Sequence, residues 1–180
     1  PRVEAVIAKR LARLSPRHRD LLALASVEGE TFTAEAVARA LGHPLERVER
    51  ALRALGGGKL SGAQHNLVHA LGLERVAGRR VARYQFRHAL FQQYLYARLD
   101  PVRRARFHEA IGRALETLHA GHWDAVAARL AYHFEAADLP ELAVGYLFRA
   151  GQQAYRLSAP VDAIALYRRG LALLAQMPES

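Results

Sequence analysis

The sequence predicts a mainly α-helical protein carrying one small β-hairpin. Apolar residues recur at helical spacing along most of the 180 residues, and Ser-Pro, Asp-Pro and glycine breaks divide them into segments of helix length. Only at residues 73–86 does the pattern change, to two extended runs flanking a glycine turn. A chain of this length holds one large domain or two small ones. The pattern divides it into a winged-helix-like unit over residues 1–99 and an antiparallel helical bundle over 100–180 that leads into repeats.

Val3, Val6, Ile7, Leu11 and Leu14 make the stripe of a first amphipathic helix. Ser15 is placed to accept a backbone N–H as N-cap and Pro16 suits the first helical position, so a second helix runs to about Val27 and ends at Gly29. Thr33 caps a third helix, with Phe32 and Val37 spaced as a hydrophobic staple, and Gly42 closes it. His43-Pro44 opens a fourth, whose buried stripe is Leu45, Val48, Leu52 and Leu55. Helix, tight glycine turn and helix make a helix-turn-helix. Gly56-Gly57-Gly58 breaks the pattern, and residues 56–72 read as an insertion whose later part, 61–71, is a weaker amphipathic segment containing Leu67, Val68 and Leu71. Residues 73–76 and 81–86 then flank Ala77-Gly78-Arg79-Arg80 as the hairpin of a wing.

Helical spacing resumes at 89–99. Asp100-Pro101 supplies an N-cap and first-turn proline for a helix reaching about His119. Three alanine-rich helices follow, at 124–137, 141–157 and 161–176, separated by Asp138-Leu139-Pro140 and Ser158-Ala159-Pro160. Small residues among large ones let antiparallel helices approach closely. The last helix is apolar on two faces: Ile164, Tyr167, Leu171 and Leu174 on one, Ala163, Leu166, Gly170, Leu173 and Met177 on the other. One face is expected to lack a partner, as in a repeat array truncated at its C-terminus, and to lie exposed or paired with another copy of the chain.

Composition narrows the function. The absence of cysteine excludes disulfides, thiolate nucleophiles and Cys-based zinc sites. No apolar run approaches the roughly 18 residues of a membrane span, so no membrane partner and a cytoplasmic location are expected. The chain opens inside a helical pattern at Pro1-Arg2-Val3 without an export leader, as a piece of a longer protein would. The net charge is +9, and residues 1–97 hold 16 basic and 8 acidic side chains against 10 and 9 in residues 98–180. The basic excess therefore belongs to the N-terminal half, which points to nucleic acid or an acidic protein surface as its partner.

No Ser/His/Asp constellation, paired-carboxylate site or phosphate-cradling glycine loop can be assembled, so no catalytic residue and no enzymatic activity are expected. His65 and His69 have metal-ligand spacing but lack a glutamate base and a third ligand, so no metal is expected. His119 and His122 straddle Gly121 at a helix end, where imidazolium favours the negative pole of the dipole. On the fourth helix the outward residues are Glu46, Arg47, Glu49, Arg50 and Arg53. Each glutamate precedes an arginine by four, a pairing worth about 0.2–0.5 kcal/mol, and no Asn, Gln, Ser or Thr stands ready to read a base edge. Specific DNA reading is not favoured there. Arg75, Arg79, Arg80, Arg83 and Arg87 give the wing a truer basic patch, usable against phosphate or against acidic side chains of a neighbouring domain. Tyr84, Phe86, Phe91, Tyr94 and Tyr96 form an aromatic cluster expected to pack the wing onto the following helix.

Ala127, Leu130, Ala131, Phe134, Ala143, Leu147 and Ala150 resemble the tetratricopeptide signature, with Ala in place of its first Trp. Gly151, Ala163, Tyr167 and Gly170 repeat part of it twenty residues on, so successive units share a helix. The winged helix, the run Tyr84-Gln85-Phe86-Arg87-His88-Ala89-Leu90-Phe91 and these repeats together resemble the signal-transduction ATPases with numerous domains, the group that includes maltose-regulator-like and LuxR-type large ATP-binding regulators and the repeat-bearing ATPases attached to bacterial nucleotide cyclases. The resemblance implies a regulatory fragment that itself holds no cofactor. Its parent would bind ADP and ATP in an upstream nucleotide-binding domain, which would also be the fragment's partner. His88, with Arg87 adding charge, would contact the ADP phosphate, and the alternative for His88 is a cap on its own helix. The repeats would bind an activating protein or small molecule, and Tyr132 and Glu135 take the positions facing the groove where such repeats hold partners, unless that face is simply solvated. The competing reading is a DNA-binding winged-helix regulator whose repeats mediate dimerisation.

Overall fold

The computed structural model describes residues 2–56 and 66–177. Among them run α1 (Arg2–Ala12), α2 (Pro16–Glu28), β1 (Thr31–Thr33), α3 (Ala34–Leu41), α4 (Leu45–Leu55), β2 (Val68–Val76), β3 (Arg79–Phe86), α5 (Ala89–Ala97), α6 (Pro101–Leu118), a 3-10 turn (Trp123–Val126), α7 (Ala127–Ala136), α8 (Pro140–Arg156) and α9 (Pro160–Leu174). The protein is mainly helical, as expected. The strands form one antiparallel sheet in the order β1-β3-β2.

Helix α2 lies at the centre of the N-terminal half. Ser15 Oγ accepts the His18 N–H at 3.3 Å and Pro16 occupies the first helical position, so the helix starts where the sequence places it. Every residue from Leu21 to Val27 is buried, because α3, α4, α5, α6 and β1 all pack against this stretch. Gly29, at φ 134° and ψ −162°, takes a conformation essentially reserved for glycine and turns the chain out of the helix.

Phe32 and Val37, expected to form a staple, are both fully buried, and Phe32 lies on a strand. β1 pairs with β3, Phe32 lying opposite Tyr84, and the Phe32 ring packs on Tyr84 and Phe86 at 6.0 and 5.3 Å. Three residues are too few to show an alternation, and the partner strand comes from far along the chain. The Thr33 side chain does not cap α3. Its N–H and hydroxyl donate to the Glu28 carboxylate at 3.2 and 3.3 Å.

The hairpin also begins earlier than residue 73. β2 starts at Val68 opposite Phe86, with a bulge between Ala70 and Gly72. The expected amphipathic segment at 61–71 is therefore strand from Val68 onward, and its earlier part, residues 61–65, lies outside the described residues. Leu71 and Leu73 are 49% and 60% exposed, so the bulge leaves apolar side chains on the solvent side and erases the period of two. The Ala82 N–H, just beyond the reach of β1, donates to both Glu35 oxygens at 3.0 and 2.9 Å and ties the hairpin to α3.

Asp100 accepts the Arg103 N–H at 2.9 Å ahead of Pro101, starting α6 as expected. The division at residues 99 and 100 thus falls on a helix cap, and α6 itself packs on α2 and α3 on one side and on α7 on the other. A Cβ added to Gly112 would meet the Phe134 ring at 3.0 Å. The helix expected from 124 begins as the 3-10 turn, held by Trp123 Nε1–H donating to the Glu116 carbonyl at 2.9 Å.

The α7–α8 and α8–α9 connections are the same turn made twice. Asp138 and Ser158 take left-handed φ values of 59° and 60°, and the Leu139 and Ala159 N–H groups each donate five residues back at 2.9 Å before Pro140 and Pro160 restart the helix. α9 lays Ala163 and Gly170 on α8. Tyr167, grouped in the sequence with Ile164, Leu171 and Leu174, turns inward onto Phe148 at 5.6 Å. Among the described residues no element covers Ile164 and Leu171, which are 50% and 57% exposed.

A Cβ on Gly151 would lie 2.5 Å from Tyr167 Cε1. Gly151→Ala gains about 1 kcal/mol of helix propensity but overpacks the α8–α9 contact by about 1–3 kcal/mol. Urea denaturation should therefore show the variant destabilised by about 1 kcal/mol, with no such loss when Gly151→Ala is made in a Tyr167→Ala background. A stabilised single variant would contradict this packing.

Candidate functional site

The expected site residues fall into separate places. Arg87 and His88 follow β3 at the mouth of α5, and Arg79 and Arg80 stand at its other end, roughly 25 Å away by the rise of an extended strand. His88 occupies the N-cap position of α5 with an exposed side chain that makes no capping bond. Its ring lies 6.1 Å from Phe91. Arg87 Nε donates to Asn66 at 2.9 Å. Leu90, one turn into α5, is 52% exposed.

The hairpin arginines do not form one patch. Arg79 and Arg80 share a groove of about 500 Å³ with Arg39 and His43. His43 also borders a second groove of about 870 Å³ that holds Arg17, His18, Arg47 and Arg50. Of the two ion pairs expected on α4, Glu49–Arg53 forms at 3.7 Å. Glu46 and Arg50 form none among the described residues, so Arg47 and Arg50 keep their charge on the surface.

Arg75 and Arg83 instead line a cleft of about 540 Å³ between the hairpin and the α6–α7 junction, together with His119, His122 and Arg129. Arg83 is held by Glu74 at 2.6 Å and by Thr31 at 3.2 Å. The pull of the helix end on His119 is overridden: burial first, then Arg129, push its imidazole toward the neutral form, against Glu74 and with His122. His65 lies outside the described residues and His69 sits on β2. Among the described residues no group of three or more metal-ligating side chains occurs.

In the C-terminal half, Glu135 pairs with Arg169 at 2.6 Å, a bridge from α7 to α9. Tyr132 is 48% exposed and sets its ring edge-on to both His108 and His133, at 5.4 Å from each. These two histidines, which sequence reasoning passed over, form the most unusual polar cluster in the fold. They are 0% and 2% exposed. Their Nδ1 atoms lie 3.0 Å apart and His108 Nε2 lies 3.0 Å from the Tyr96 hydroxyl. If Tyr96 donates, His108 carries its proton on Nδ1 and donates to His133. Arg104 stacks over Tyr96 at 4.7 Å and donates to the Tyr96 and Leu99 carbonyls. The aromatic cluster expected between wing and helix is thereby divided, Tyr84 and Phe86 serving the sheet and Tyr96 serving α6. The signal available in the sequence was spacing: His108 precedes Ile111, Gly112 and Leu115 on the buried stripe of α6.

Among the described residues no helix is long and apolar enough to cross a membrane. Comparison with protein-family models, with characterised proteins and with solved structures found no match to this chain.

Burial, aided by Arg104, lowers His108 to about 4, while burial and the neighbouring His108 lower His133 to about 3, both from 6.5. A base held below its unfolded value binds fewer protons in the native state, so the native state loses stability as pH falls. Melting temperature should be level above about pH 6.5 and decline steadily from there toward pH 3. His108→Leu with His133→Leu should flatten that decline in calorimetry. An unchanged slope would remove the pair as its source.

Proposed function

We propose that α2, β1, α3, α4 and the β2–β3 hairpin form a winged helix, that α7–α9 are tetratricopeptide-like repeats, and that the chain is the regulatory part of a signal-transduction ATPase with numerous domains. In this reading the mouth of α5 rests on a nucleotide-binding domain in its ADP state, and the repeats receive the activating protein or small molecule. The observation that carries it is His88. Its imidazole is exposed and makes no capping bond to its own helix, and it stands beside first-turn N–H groups that favour an anion. Exposed Leu90 adds an apolar contact for a neighbouring domain. The order helix, strand, helix, helix, hairpin supports the winged-helix part, and the turn repeated at Asp138 and Ser158 supports the repeats. In the parent polypeptide, His88→Ala should speed ADP release about tenfold, the loss of one charge-assisted hydrogen bond, and raise basal activity with the circular dichroism unchanged. ADP release at the wild-type rate would end the clamp reading.

A second reading rests on Arg47 and Arg50. Without an ion pair among the described residues and adjoining Arg17, Arg39, Arg79 and Arg80 through two grooves that share His43, they give this face a basic surface suited to duplex phosphate. Without a base-reading amide on α4, binding should be weak and indifferent to sequence. Fluorescence anisotropy with unrelated duplexes should give similar affinities that fall steeply with salt. Strong preference for one sequence would favour the DNA-binding regulator over the ATPase module.

A further inference from the structure

The cleft between the β2–β3 hairpin and the α6–α7 junction has the composition of a ligand site. Its floor is apolar, from Val81, Leu115, Leu118 and Val126, and its rim carries Arg75, Arg83, His119, His122 and Arg129 with the single carboxylate of Glu74. The volume of about 540 Å³ lies within the usual range for small-molecule sites. The arginines come from β2, β3 and α7 and the histidines from the end of α6 and the following loop, so the fold rather than local sequence brings them together. A smaller pocket lined by Glu28, Glu30, Thr31 and Thr33 adjoins the cleft through Arg83 and Arg129.

Two of the arginines have carboxylate partners. Arg83 Nη1 meets Glu74 at 2.6 Å and Arg129 Nη2 meets Glu28 at 3.1 Å. Even so, positive charge remains. Arg75 makes no ion pair among the described residues, and the Arg83 Nε–H is buried without a hydrogen-bond partner, a donor that a protein does not normally leave unmet. The groups acting on the His119 imidazole are Arg129 on α7, Glu74 on β2 and His122 on the adjoining loop.

We infer that this cleft binds a small organic anion, an apolar or aromatic body seated on Val81, Leu115, Leu118 and Val126 with its phosphate or carboxylate group held by Arg75, Arg83 and Arg129. The apolar floor distinguishes it from a site for inorganic ions, and the planar guanidinium forks suit either oxyanion. The site is separate from the mouth of α5 and does not depend on His88.

The test uses 1-naphthyl phosphate, 1-naphthoate and uncharged 1-naphthol, followed by NMR on the whole chain. Binding of either anion should shift the His119 and His122 ring resonances and the Arg83 Nε–H, and should raise the His119 pKa, while naphthol binds more weakly. The ratio of phosphate to carboxylate affinity identifies the oxyanion. Arg75→Ala with His122→Ala, both exposed positions, should lower anion affinity about fivefold and leave the melting temperature unchanged. Equal binding of naphthol and the anions, shifts confined to other surfaces, or no binding at millimolar concentration would each overturn the proposal.

Discussion

The buried carboxylate of Glu28 is the contact on which the arrangement of the molecule depends. It ends α2 with a side chain only 1% exposed, accepts the N–H and hydroxyl of Thr33 from β1, and receives Arg129 from α7. Burial raises its pKa more strongly than Arg129 and Thr33 lower it. Removing one partner from such a group is costly, because the other is left desolvated and unmatched. Glu28 also accepts the Thr33 N–H, one of the N–H groups at the start of α3 that have no partner within the helix. Through β1 it sets the position of β3, and through β3 that of the hairpin and the cleft behind it.

A second constraint is the sharing of α6. One side of the helix closes the N-terminal core against α2 and α3, and the other receives Phe134 against Gly112. The buried His108–His133 contact lies on this second side, with Tyr96 from α5 completing the chain. A hydrogen-bonded pair of neutral imidazoles specifies one relative position of α6 and α7 more narrowly than apolar side chains do, because a sliding contact would leave buried donors unmet. Movement of α7 would therefore reach the N-terminal half through α6.

The candidate surfaces were legible in the sequence to different degrees. His88 could be placed because it depends on local signals, the end of an extended run and the start of a helix. Arg47 and Arg50 were legible as exposed, but the neutralisation of Arg50 by Glu46 was overstated: i, i+4 spacing permits an ion pair without requiring one, and side-chain entropy opposes it on an open surface. Arg83 was grouped with Arg79 and Arg80 by proximity in sequence. The approach of Thr31 and Glu74 holds it part-way along β3, beside the cleft and away from the strand end that carries Arg79 and Arg80. His119 and His122 looked like helix-end histidines, and nothing local could show that Arg129 and the hairpin would arrive beside them.

What the sequence determined by itself is the set of helices and most of their ends, because caps, prolines and the period of the apolar stripe act within a few residues: Ser15 with Pro16, Gly42, Asp100 with Pro101, and the paired turns before Pro140 and Pro160. What only the tertiary structure decided are features made of distant partners. β1 exists because β3 offers it a free edge, β2 begins at Val68 because Phe86 waits opposite, and the imidazole pair, the Glu28 anchor and the basic cleft join side chains whose separation in sequence carries no pattern. Local order follows from torsional preference and solvation of neighbouring residues, whereas these sites follow from which buried polar groups found one another once the helices had packed.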